Sequence, residues 1–153
     1  MKAGNGSHFE QAYNAQAVVD EAMLIVGQRV SDAPNDKEEL VASVAAISPV
    51  VAGEVQAVLA DSGFYSAAAV QAVEQKPDGT PSGVSVYAAV EQQTHHQTVA
   101  QLLPQPEPAA LPEHATPKEA MARRLKTSAG RLLYDVTVQI KTGQWWALQN
   151  QPL

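Results

Sequence analysis

Between residues 12 and 20 the chain alternates. In AYNAQAVVD, Tyr13, Ala15, Ala17 and Val19 fall on one side, and Asn14, Gln16, Val18 and Asp20 on the other. A period of two predicts a half-buried strand. AMLIVGQRV is a second apolar run, and the DEA at the join is short enough for a hairpin. The period then lengthens. APNDKEELVASVAAISPVVAG reads as a helix, with Asn35 or Asp36 as its cap. Glu38 and Glu39 suit its positive end, and Leu40, Val44 and Ile47 form an apolar stripe. Pro49 ends or kinks it.

EVQAVLAD returns to strand, and Ser66 is placed to cap the helix of SAAAVQAVEQ. KPDGTPSG is a turn, and VSVYAAV alternates again as a fourth strand. The predicted strands lie near 13–19, 24–30, 55–60 and 84–90. Residues 92–117 hold five of the ten prolines and little periodicity, which marks an extended linker or loop. Thr116-Pro117 then opens a helix running through KEAMARRLKT.

Strand, strand, helix, strand, helix, strand, linker, helix is an α/β order: a mixed sheet with flanking helices. A hairpin followed by a parallel crossover is compatible with the later part of a ribonuclease-H-like core. The chain divides into a lead-in (1–12), a core (13–91), a Pro-rich linker (92–115) and a basic C-terminal helix with its tail (116–153).

Composition narrows the chemistry. The 153 residues contain no cysteine, so thiolate metal sites and cysteine nucleophiles are excluded. Apolar runs fall short of the roughly 20 residues of a membrane span, and MKAGNGSHFEQ lacks the apolar core of a signal peptide. The expectation is a cytoplasmic protein with no membrane contact. The net charge of −6 is unevenly spread. Residues 1–115 carry 4 Lys/Arg and 14 Asp/Glu, whereas 116–153 carry 6 Lys/Arg and 2 Asp/Glu. Lys118, Arg123, Arg124, Lys126, Arg131 and Lys141 make the tail basic. Such a patch suits phosphates, whose neutralisation releases counterions. It equally suits a solvated helix face. The spacing puts Arg124 and Arg131 seven residues apart on one helix face, with Arg123 about 100° away.

One acid stands out. In VLADSGFYSAAAV, Asp61 ends an apolar run directly before Ser-Gly. The carboxyl end of a strand is where open α/β sheets place their chemistry. Asp is also a common turn acceptor, and the local pattern leaves both readings open. His95, His96 and His114 lie in the Pro-rich stretch, which offers no rigid ligand geometry.

Three segments in order, YNAQAVVDEAMLIVGQRVSDAPNDKEEL, VLADSGFYS and KEAMARRLKTSAGRLLY, together resemble the catalytic domain of bacterial DDE insertion-sequence transposases, over roughly residues 9–134. The resemblance implies a partial ribonuclease-H-like fold. It also implies DNA cutting and joining by three carboxylates that hold two divalent ions, usually Mg²⁺, about 3.5–4 Å apart. Asp61 matches the second acid, a catalytic and metal-binding residue of that family. The family's first Asp lies on an earlier strand, upstream of anything this chain matches, and Asp20 is not its equivalent. The third acid, a Glu, is expected about two helical turns beyond Tyr134, but no Asp or Glu follows Asp135. Either Gln139 stands in that place or a few residues are missing between Val138 and Gln139, and an amide lacks the charge that holds Mg²⁺. VTVQIKT is β-branched and alternating and leans toward strand, where the family has helix. QWWALQNQPL, with Trp145 and Trp146, matches nothing in the family.

The expected function is therefore that of a truncated DDE transposase domain, inactive and without bound Mg²⁺. The alternatives are a non-catalytic regulator that binds DNA or poisons transposase subunits, and a structural remnant. The expected partners are DNA, met weakly and non-specifically through Lys118, Arg123, Arg124, Lys126 and Arg131, and other copies of itself or a full-length transposase.

Overall fold

The computed structural model describes residues 13–90 and 106–138. Their order is β1 (Asn14–Val19), β2 (Ile25–Ser31), α1 (Glu39–Ala45), α2 (Pro49–Ala52), β3 (Ala57–Ala60), a 3-10 turn (Ser62–Phe64), α3 (Ala67–Glu74), β4 (Ser85–Ala88), α4 (Pro117–Lys126) and α5 (Ser128–Val138). This is a mixed α/β arrangement of small sheets with flanking helices. All four expected strands form, each within a few residues of its predicted bounds. They do not join into the one mixed sheet expected. β1 pairs with β2 and β3 with β4, giving two two-stranded sheets among the described residues. The described residues fall into two compact units, one of 13–58 and 63–86, the other of 59–62, 87–90 and 106–138.

In the first unit, β1 and β2 are antiparallel, from Asn14 opposite Ser31 to Val19 opposite Ile25, with a bulge between Val18 and Val19. Asp20 makes the turn. Its Oδ1 accepts from the backbone N–H groups of Ala22 (2.9 Å) and Leu24 (2.8 Å), and Met23 takes a φ of 63°. Directly opposed residues of an antiparallel pair share a face. Tyr13, Ala15, Ala17, Val19, Ile25 and Val30 are exposed. The opposite face carries Asn14, Gln16, Arg29 and Ser31 and lies against α1 and the loop before it. The strand is half-buried as its alternation predicts, but the polar side turns inward.

That inward polarity is answered by two acids. Glu39 is buried; its Oε1 accepts from Ser31 Oγ at 2.9 Å and its Oε2 lies 3.0 Å from Arg29 Nη1. Asp36 Oδ1 accepts from Asn14 Nδ2 and Gln16 Nε2, each at 2.8 Å. Neither Asn35 nor Asp36 caps α1 with its side chain, because Asp36 is turned to the hairpin and Asn35 Oδ1 accepts from the Lys37 N–H. The expected single helix is two. α1 starts at Glu39, and Pro49 begins α2 as its first residue. Gly27 lets α1 approach β2. A Cβ there would lie 3.0 Å from the Ala46 carbonyl oxygen, and the Ser48 N–H donates to the Val26 carbonyl nearby at 2.8 Å.

α3 is capped as expected, with Ser66 Oγ accepting from the Ala69 N–H at 3.1 Å. It buries Ala69, Val70 and Val73, which with Val26, Leu40 and Val86 make the apolar core of this unit. β4 follows a turn in which Asp78 Oδ1 accepts from the Thr80 N–H and hydroxyl. The Ser85 N–H donates to the Gln56 carbonyl and the Ala89 N–H to the Ala60 carbonyl, so partners advance together and the pair is parallel. β3, α3 and β4 thus form a β-α-β crossover.

In the second unit, Thr116 and Glu119 form a reciprocal capping box at α4, with Pro117 as its first residue. Arg124 and Arg131, expected on one helix face, lie on two helices that meet at Thr127. Its hydroxyl donates to the Arg124 carbonyl at 2.7 Å and accepts from the Gly130 N–H at 3.1 Å, ending one helix and opening the next. The junction is tight. A Cβ on Gly130 would collide with the Arg124 carbonyl oxygen and lie 2.9 Å from Leu125 Cα. Val136–Val138, expected to lean toward strand, continue α5. Propensity yields there to a helix already nucleated. The remainder of that expectation, 139–142, lies outside the described residues.

The buried ion pair yields a stability prediction. Removing one partner of such a pair costs about 3–5 kcal/mol when both are fully buried. The Arg29 side chain keeps 29% exposure against 5% for Glu39, so Arg29→Ala is expected near the low end of that range. Arg29→Met with Glu39→Leu should lose much less, because no charge is stranded. Urea unfolding of the three proteins measures both.

Candidate functional site

Asp61 directly follows β3, the position expected for it. It is exposed, and its Oδ1 accepts from the backbone N–H of Ser62 at 2.5 Å. The side chain thus meets the demands of a turn acid while standing at the carboxyl end of a parallel strand. The 3-10 turn carries the chain on to Ser66 and α3. Asp20, by contrast, has its Oδ1 committed to the hairpin turn.

Asp36 is the residue that sequence reasoning misplaced. Local pattern suggests a helix cap; the fold makes it the acceptor for two side-chain amides of β1. Its other oxygen, Oδ2, faces Gly63, where a Cβ would come within 3.2 Å of it. The available signal was Asn14 and Gln16, two amides on one strand face with an acid downstream to satisfy them.

The basic residues divide by environment. Arg124 lies over the Tyr87 ring, 5.9 Å from its centroid, which suits a cation–π contact. Arg123 Nε donates to the Ala109 carbonyl at 2.6 Å and its Nη2 to the Pro108 carbonyl at 3.3 Å. Arg131 Nη2 lies 4.0 Å from Glu107 Oε1. Lys118 and Lys126 are exposed. Because Arg124 is on α4 and Arg131 on α5, their seven-residue spacing does not place them on one helix face as expected. Segment 106–110 draws Arg123 and Arg131 together instead. Lys141, Gln139, Trp145, Trp146, His95 and His96 lie outside the described residues; His114 is exposed before α4.

Two magnesium ions need several clustered carboxylates. Among the described residues, no group of three or more His, Cys, Asp or Glu side chains comes together to hold a metal ion. No helix among the described residues is long and apolar enough to cross a membrane. No family model, curated protein or solved structure matches the chain.

The carboxylates that hold this region give a pH prediction. Hydrogen bonds from the Thr116 backbone N–H (2.7 Å) and then its hydroxyl hold the Glu119 carboxyl below its ordinary value of 4.5. The Ser128 hydroxyl and backbone N–H lower Glu107 similarly, with the Arg131 and Arg123 charges adding to the effect. A carboxyl depressed by folding stabilises the fold above its unfolded value, and that contribution is lost as pH falls through the folded one. The start of α4 should therefore fray as pH drops below about 4.5. Hydrogen exchange at the Thr116 and Glu119 amides should show it. In Glu119→Gln the acid-linked part of the loss should disappear.

Proposed function

We propose that this chain is part of a DDE insertion-sequence transposase catalytic domain with a ribonuclease-H-like plan, and that it does not cut DNA. One observation carries the reading: Asp61 stands immediately after β3, within a parallel β-α-β crossover, where such a domain carries its second acid. The ordered match of three sequence segments supports it. A hairpin followed by a parallel crossover is also compatible with the later part of a ribonuclease-H-like core. With Asp61 as the one matched ligand, Mg²⁺ is not held as a catalytic pair.

Contact with DNA, in this reading, comes from α4 and α5 through Lys118, Arg123, Arg124, Lys126 and Arg131. Phosphate contacts give affinity without sequence information. The acidic remainder opposes them, so Kd is expected no tighter than the non-specific range of about 10⁻⁴–10⁻⁶ M at physiological salt.

The test is a cleavage and strand-transfer assay with labelled duplex in Mg²⁺ or Mn²⁺. No product above background is expected. Product that vanishes in Asp61→Ala would show an active enzyme and end this reading.

A further inference from the structure

The groups that would meet a phosphate chain already have an internal occupant. Residues 106–110 carry no helix or strand, and three successive members engage the basic helices of the second unit. Glu107 Oε1 accepts from the Ser128 backbone N–H at 2.7 Å, in the first turn of the eleven-residue α5, with Arg131 4.0 Å away. The Pro108 and Ala109 carbonyls take the Arg123 guanidinium. A carboxylate and two carbonyls are thus arrayed against two guanidiniums and a helix N-terminus, the donors that a phosphodiester uses.

The grip is polar and superficial. Glu107, Ala109 and Ala110 are exposed, and the Glu107 side chain keeps 56% of its surface. No large apolar side chain anchors these five residues. Exposed ion pairs and single hydrogen bonds each contribute little net stability. A ligand with several phosphates can compete for the same donors, while the strap remains tethered to the chain.

We propose that segment 106–110 is an autoinhibitory strap, which competes with a DNA phosphate backbone for Arg123 and Arg131. This rests on the reading above that α4 and α5 contact DNA, and adds to it the device that sets their availability. The strap lowers affinity by occupying two arginines. Releasing it adds about two phosphate contacts.

The experiment measures binding of a short fluorescent duplex by anisotropy across a range of salt, for the full chain and its variants. Each phosphate neutralised steepens log K against log salt by about 0.9. Glu107→Ala should steepen the slope by between about 1 and 2 relative to wild type. Glu113→Ala is the control: it removes the same charge from an exposed position before α4 and should leave the slope near wild type. Glu107→Gln, which retains an acceptor for the Ser128 N–H, should fall between. Adding Arg123→Ala and Arg131→Ala to Glu107→Ala should abolish the gain. Equal slopes for Glu107→Ala and Glu113→Ala, with wild type binding duplex, would overturn the strap and leave DNA contact standing. Absence of binding in wild type and in Glu107→Ala alike would overturn both. Binding that emerges only in Glu107→Ala would support both.

Discussion

A β-strand has two edges of backbone donors and acceptors, and β3 has one of them filled among the described residues. It bonds to β4, while β1 and β2 bond to each other. Burying a backbone group without a partner costs as much as losing a hydrogen bond. A two-stranded ladder alone is marginal in water and needs helix packing to persist. The rest of the structure can be understood from that constraint. With neither ladder extended sideways among the described residues, order in the first unit depends on helix packing and on side chains that tie strands to helices.

Those ties are specific and polar. Glu39 joins α1 to β2 through Arg29 and Ser31, and Asp36 joins the loop before α1 to β1 through Asn14 and Gln16. Glu74, at the end of α3, accepts from the Val86 N–H in β4 at 2.8 Å, and Ser82 donates to the Val73 carbonyl at 2.7 Å. Apolar burial supplies the non-directional part, through Leu40, Val70, Val73 and Val86. Such pins fix geometry better than they add stability, since each hydrogen bond is worth roughly 0.5–1.5 kcal/mol net. The Glu74 and Ser82 bonds hold the crossover, and the crossover puts Asp61 at a strand end.

What the sequence revealed depended on whether the deciding forces were local. The hairpin was legible because alternation and a short acidic turn are neighbours in the chain. The Ser66 cap and the Thr116-Pro117 helix start were legible for the same reason, each being a contact spanning three residues. The strand end before Asp61 followed from an apolar run meeting Ser-Gly. Alternation names two faces of β1 but cannot say which is covered, and Asn14 and Gln16 turn inward only because Asp36 waits across the fold. The break at Thr127 has no proline to announce it, and Gly130 reads as an indifferent helix residue until the Arg124 carbonyl is seen beside it. The arginines looked like a free charged face because their carbonyl and carboxylate partners, Pro108, Ala109 and Glu107, lie about fifteen to twenty-five residues away in a stretch without periodicity.

Among the described residues β3 stands at an open sheet edge, and amide hydrogen exchange resolved by residue tests this directly. Backbone groups of successive strand residues point to opposite edges. The Gln56 and Ala60 carbonyls face β4, so the Val58 and Ala60 amides point the same way, and those of Ala57 and Leu59 point to the other edge. The account predicts slow exchange at Val58 and Ala60 and fast exchange at Ala57 and Leu59. Comparable protection at all four would mean that a strand lies on both sides of β3, and would contradict the divided sheet on which the account is built.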